Sequence, residues 1–155
     1  MYAFREKGDE LFLTDWESWN GSNFNWVWHD NCKQFVNVPA LDNYDVIWVC
    51  KTKNYFKRVD TLRNMLHHLK KSSAVIVNDP ATIEHNINKS YLWELEAQGV
   101  DIVPTKLLTL QAISEMTSQY PCIIKPKCGA LAHGVSLLHA SEEFHQLSIS
   151  DYDTC

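Results

Sequence analysis

The strongest constraint on the fold is a pair of short apolar runs separated by one amphipathic stretch. Tyr44 to Cys50 reads YDVIWVC, and Ala74 to Val77 reads AVIV. Runs with so little polar alternation fit strands covered on both faces, as in a parallel sheet. Between them, Val59, Leu62, Met65, Leu66 and Leu69 recur at helical spacing, which predicts an amphipathic helix over 58–70. Strand, helix, strand in that order is a βαβ unit and places the chain in the α/β class.

The flanks are less regular. Glu10 to Thr14 reads as a short strand, and residues 15–43 read as an irregular excursion without a clear period. Past the βαβ unit, Asp79 is placed to cap a helix whose first position is Pro80. Asn88 is placed to cap a second helix, KSYLWELEAQ, stopped by Gly99. Val100 to Val103 is extended as far as Pro104. Thr109 can cap LQAISEMTSQ, and two strands follow, Cys122 to Lys125 and Val135 to His139. Ser141 can cap a last helix, SEEFHQL. The pattern changes near Val77 to Pro80, so the expected domains are 1–78 and 79–155.

Net charge of −5 argues against a general nucleic-acid binder. The basic residues are unevenly spread: Lys51, Lys53, Lys57, Arg58, Arg63, Lys70 and Lys71 face only Asp60 in that stretch. A solvated helix face is the plainer reading and a phosphate-attracting or partner-facing patch the sharper one. Cys32, Cys50, Cys122, Cys128 and Cys155 form no CxxC pair, which suggests reduced thiols and a cytoplasmic setting. No apolar run approaches the ~18 residues that span a bilayer, so no membrane partner is expected. Trp16, Trp19, Trp26 and Trp28 fall within thirteen residues. They read either as core or as an aromatic contact surface.

Residues 121–138, PCIIKPKCGALAHGVSLL, carry the chemistry. Lys125 precedes Pro126, and the proline holds it extended at the end of an apolar strand. Such an ammonium reaches solvent or meets an anion. Gly129 and Gly134 bracket a hairpin loop. A P-loop needs Lys-Ser/Thr straight after its second glycine and then a helix. Here Val135-Ser136 and a strand follow. The arrangement suggests a hairpin loop folding over phosphates, with backbone N–H groups as donors and glycines permitting close approach. Lys89, expected in the first turn of the helix capped by Asn88, opposes the helix dipole unless an anion binds nearby. The histidines have no metal-helix spacing, and Cys122 and Cys128 lack the further ligands that zinc requires.

The ordered series of Asn78 to Pro80; Asn86, Lys89, Tyr91 and Leu92; Leu95, Gly99, Val100, Val103, Pro104 and Thr105; then Lys125, Pro126, Gly129 and Gly134 resembles the ATP-grasp superfamily. It is most similar to the glutathione synthetase and RimK-like carboxylate–amine ligases. The resemblance covers roughly residues 40–140. It implies a small parallel Rossmann-like sheet, as in the domain that precedes the grasp fold, followed by linker helices and the start of an α+β ATP-grasp small lobe. It also implies that Lys89 and Lys125 bind ATP phosphates, with Gly129, Ala130 and Gly134 in the loop that covers them. Such ligases phosphorylate a carboxylate with ATP, and an amine or similar nucleophile then attacks the acylphosphate.

Two departures qualify the resemblance. Leu131, Ala132 and His133 stand where Gly and Ser are expected. The Mg2+ ligands belong to a second grasp lobe, and sixteen residues follow His139. The expectation is therefore a partial ligase whose C-terminal lobe is supplied elsewhere, with an unidentified carboxylate and amine as substrates. The alternative is a non-catalytic nucleotide-binding or protein-interaction module. Seven residues before Gly8 are too few for a strand and a helix. Residues 1–77 are accordingly expected to leave an open sheet edge or an uncovered apolar face, and the chain to self-associate or the remainder to come from additional sequence.

Overall fold

The computed structural model describes residues 8–109, 111–112, 120–129 and 132–146, the side chains of 141, 145 and 146 excepted. It is a mixed α/β structure of small sheets and short helices. The chain divides into two compact units. One comprises residues 1–52 and 60–84; the other comprises 53–59 and 85–155. Among the described residues no helix is long and apolar enough to cross a membrane.

In the first unit the excursion over 15–43 is not irregular. Strands β1 (Phe12–Leu13), β2 (Val27–His29) and β3 (Gln34–Val36) form an antiparallel sheet in that order. The register sets Phe12 opposite His29 and Trp28 opposite Phe35. These pairs supply what strands of two or three residues lack in length. Phe12 stacks on His29 at 4.6 Å, and Trp28 meets Phe35 edge-on at 5.1 Å. Between β1 and β2 the chain makes a 3-10 turn, Trp16–Ser18, where Asp15 accepts a hydrogen bond from the Glu17 amide. Trp16 and Trp19 are buried, and the Trp19 indole N–H donates to Asn64 at 2.8 Å. For these two tryptophans the core reading holds.

Strands β4 (Val46–Trp48) and β5 (Val75–Val77) pair in parallel across helix α1 (Val59–Leu69), which gives the expected strand–helix–strand order. The five residues at helical spacing are the ones α1 buries: Val59, Leu62, Met65, Leu66 and Leu69. Each buried Leu or Met side chain contributes roughly 1.5–3 kcal/mol. The strands depart from expectation. Ile47 and Ile76 are partly buried on one face, whereas Val46, Trp48, Val75 and Val77 on the other are 40–64% exposed. The apolar runs therefore do not mark a sheet covered on both faces. Among the described residues of this unit, Val46, Trp48, Val75 and Val77 form an exposed apolar face.

Helix α2 (Pro80–His85) opens at the predicted place. The Asp79 carboxylate accepts from the Thr82 amide at 2.8 Å and from the Thr82 hydroxyl at 3.0 Å, and Pro80 takes the first helical position. These bonds hold the Asp79 carboxyl below the usual carboxylate range.

In the second unit, helix α3 (Tyr91–Ala97) ends at Gly99, whose φ is 78°. The Gly99 amide donates to Glu96 O and the Val100 amide to Leu95 O, the paired bonds of a Schellman stop. Strands β6 (Cys122–Ile124) and β7 (Ser136–Leu138) form an antiparallel hairpin with Cys122 opposite Leu138 and Ile123 opposite Leu137. Its inner face packs Ile124 and Leu138 with Phe144, and Leu108, Tyr120 and Cys122 pack against them. Ile123 and Leu137 lie exposed on the outer face. The helix expected after Ser141 is a 3-10 turn over Ser141–Gln146. Thr109 accepts from the Ala112 amide at 3.0 Å in capping fashion, but most of the helix expected after it lies outside the described residues.

Candidate functional site

Both predicted lysines lie in the second unit. Strand β6 ends at Ile124, one residue short of the expected end, so Lys125 follows the strand. Buried Pro126 comes next. The chain from Pro126 to Gly129 then runs alongside residues 87–89. Asn88 and Cys128 form an antiparallel bridge, and the Lys89 amide donates to Lys127 O at 3.1 Å.

Asn88 is not a helix cap. Its side-chain oxygen accepts from the Ser90 amide at 2.8 Å and from the Ser90 hydroxyl. That turn delays α3 to Tyr91, leaving Lys89 ahead of the helix. The expected conflict between Lys89 and the helix dipole therefore does not arise. The Asn side chain supplies the local hydrogen bond that a first helical turn would otherwise make.

The Lys89 ammonium turns onto backbone carbonyls. It donates to Pro126 O at 2.7 Å and lies 3.3 Å from Lys127 O and 3.5 Å from Gly129 O. Its pKa is lowered, first by burial and then by the positive charge of Lys125. Lys125 is exposed. No described carboxylate lies within ion-pair distance of either lysine. The two cations are 36 residues apart in sequence, and in the fold the charge of Lys125 acts on Lys89 in the same direction as its burial.

The two glycines differ. Gly134 has φ 71°, and a Cβ there would stand 2.7 Å from Pro126 Cγ. Packing and backbone conformation account for this glycine without a ligand. Gly129 has no such constraint. A Cβ there would meet nothing closer than 3.6 Å, and Lys89 Nζ would lie 3.9 Å away. A bare backbone at Gly129 thus leaves room beside the ammonium. Ala130 and Leu131 lie outside the described residues. Ala132 has φ 58°, a left-handed conformation that favours the glycine expected by resemblance.

No family model, curated protein or solved structure matches this chain. The chemistry of the site rests on its own geometry.

Sequence reasoning missed the segment 53–59 as part of this site. After β4 the chain contributes residues 53–59, up to the first residue of α1, to the second unit. Asn54, with φ 60°, opens a 3-10 turn at Tyr55–Lys57. The Tyr55 hydroxyl lies 2.8 Å from Ile87 O, 3.2 Å from Gly129 O and 3.2 Å from the Gly129 amide nitrogen. The Phe56 ring stacks on His133 at 5.1 Å. The available signal was an aromatic pair inside a basic stretch. Of that stretch only Arg63 lies on α1, so it is not chiefly a helix face. Lys53, Lys57 and Arg58 belong to the segment that carries Tyr55.

The cysteines add little chemistry. Burial pushes the Cys122 thiol up, which suits a core residue and not a nucleophile. Cys32, Cys50 and Cys122 are free thiols, but Cys128 is disulfide-bonded, which corrects the expectation of uniformly reduced cysteines. Spacing in sequence cannot reveal a pairing made by the fold. Among the described residues no three His, Cys, Asp or Glu side chains converge to hold a metal.

Proposed function

We propose that Lys89, Lys125 and the backbone from Pro126 to Gly129 form a phosphate-binding site for ATP, in a partial ligase of the ATP-grasp kind. The Rossmann-like and grasp-lobe architecture belongs to the same proposal. The observation that carries it is the partly buried Lys89 ammonium set against the backbone carbonyls of 126–129, its pKa lowered by burial and then by the charge of Lys125, with no described carboxylate paired to either lysine. Like charges held together, one of them partly buried, are stabilised by an anion. A triphosphate is the anion that matches the resemblance. The bare backbone at Gly129 and the basic segment 53–58 favour the same ligand.

In this reading Lys125 supplies an exposed ammonium to phosphate oxygens, and Lys89 adds charge from behind the loop. ATP-grasp ligation uses Mg2+ to offset the charge on the transferring phosphoryl group. Among the described residues no group of three or more His, Cys, Asp or Glu side chains converges to hold that ion. A cytoplasmic setting is proposed from the free thiols of Cys32, Cys50 and Cys122; the disulfide at Cys128 argues the other way.

Calorimetry with millimolar ATP and with inorganic tripolyphosphate tests the proposal. Heat of binding that is abolished by Lys125→Ala is the expected outcome. Absence of heat with both ligands would refute it.

A second reading, a protein-interaction module, is favoured by the open apolar faces. Val46, Trp48, Val75 and Val77 line one in the first unit, and Ile123 and Leu137 line another in the second. Association at micromolar concentration, unaffected by nucleotide and abolished by Trp48→Lys, would support that reading.

A further inference from the structure

We propose that Tyr55 is a built-in competitor for the phosphate site, its hydroxyl occupying the backbone donor that a phosphate oxygen would use. The inference rests on the phosphate reading of Lys89, Lys125 and the 126–129 loop.

A phenol has one proton to give and lone pairs to receive with. Tyr55 Oη lies nearer to Ile87 O, at 2.8 Å, than to Gly129 O, at 3.2 Å. Its proton therefore goes to Ile87 O, and its lone pair accepts the Gly129 N–H at 3.2 Å. The resulting chain runs from Gly129 N–H through the phenol to Ile87 O. It ties the loop to the strand-like segment that precedes Lys89.

Gly129 has only one N–H. While Tyr55 accepts it, no phosphate oxygen can. The Lys89 ammonium is engaged in the same way, on the carbonyls of Pro126, Lys127 and Gly129. The donors at the centre of the site are thus satisfied internally. Phe56 braces the far side of the loop by stacking on His133. Both rings come from the 3-10 turn Tyr55–Lys57. A ligand that takes the Gly129 amide must release Tyr55, and its apparent affinity falls by the fraction of molecules in which the phenol is already displaced.

The test compares wild type with Tyr55→Phe, which keeps the ring and removes the hydroxyl. Amide exchange at Gly129 is measured without ligand, and inorganic tripolyphosphate is titrated into both proteins. The expected result is faster Gly129 exchange and binding about three- to tenfold tighter in the variant, the equivalent of one net hydrogen bond. If wild type binds and the variant binds equally or more weakly, the competition is refuted while the phosphate site stands. If neither binds, the phosphate reading falls and the competition with it. Titration of wild type alone, followed at the Gly129 amide and the Tyr55 ring resonances, covers the case of a variant that does not fold. Both signals should move together on saturation. Movement of the Gly129 signal with Tyr55 unchanged would overturn the proposal.

Discussion

Replacing Lys89 by Met probes the site through stability as well as binding. Met has similar length and no charge, so the change removes the ammonium while leaving most of the stem. Of the three carbonyls, Lys127 O keeps the backbone amide of residue 89 as donor, and Gly129 O loses only a contact at 3.5 Å. Pro126 O loses a 2.7 Å partner. One hydrogen bond to a charged group contributes about 1.5–3 kcal/mol. Relief of the burial of that charge offsets part of it. The expected cost at neutral pH is therefore about 1–2 kcal/mol.

The pH dependence carries the sharper test. Burial and Lys125 lower the folded-state pKa of Lys89 below its unfolded value, ~10.4. Between those two values the unfolded chain holds more protons, so stability gained from this residue rises with pH. Below the folded pKa the penalty on the charge is fully present; above the unfolded pKa it is gone. The stability gap between wild type and Lys89→Met should widen as pH climbs from neutral toward ~10.4. Other titrating groups cancel in the difference. Urea denaturation of both proteins at several pH values measures the gap. A gap that stays flat or narrows would refute a partly buried ammonium repelled by Lys125. Saturating tripolyphosphate should shrink the pH effect, because an anion favours the charged lysine.

The two loop glycines should behave oppositely. Gly134→Ala is expected to cost at least ~1 kcal/mol, from positive φ and the 2.7 Å approach to Pro126, whereas Gly129→Ala should leave thermal stability nearly unchanged. Equal melting temperatures for the two variants would contradict the geometry. In the first unit, Leu66→Ala removes a fully buried side chain of α1 and should cost about 2–5 kcal/mol by chemical denaturation. A loss below ~1 kcal/mol would mean that α1 does not form the core of its unit.

Several elements were legible in the residues themselves because their causes lie within one helical turn. The apolar face of α1, the Asp79-Pro80 start of α2 and the Gly99 stop of α3 depend on spacing, side-chain capping and a left-handed backbone. Each is settled by neighbours three to five positions away. Lys89, Lys125 and Gly129 could be picked out as unusual residue types, but what surrounds them could not. The turn at Asn88 is local, but the carbonyls that receive Lys89 belong to residues 126–129 and are brought there by the fold.

Other features came only with the tertiary structure. Strands β1 to β3 are too short to show a period and are held by aromatic pairs across the sheet. The exposure of one face of β4 and β5 depends on what packs there, and an apolar run looks the same whether covered or bare. Tyr55 reaches Gly129 across 74 positions. Local sequence specifies backbone preference, whereas a contact across that separation exists only after the intervening chain has folded and its closure entropy has been offset by packing.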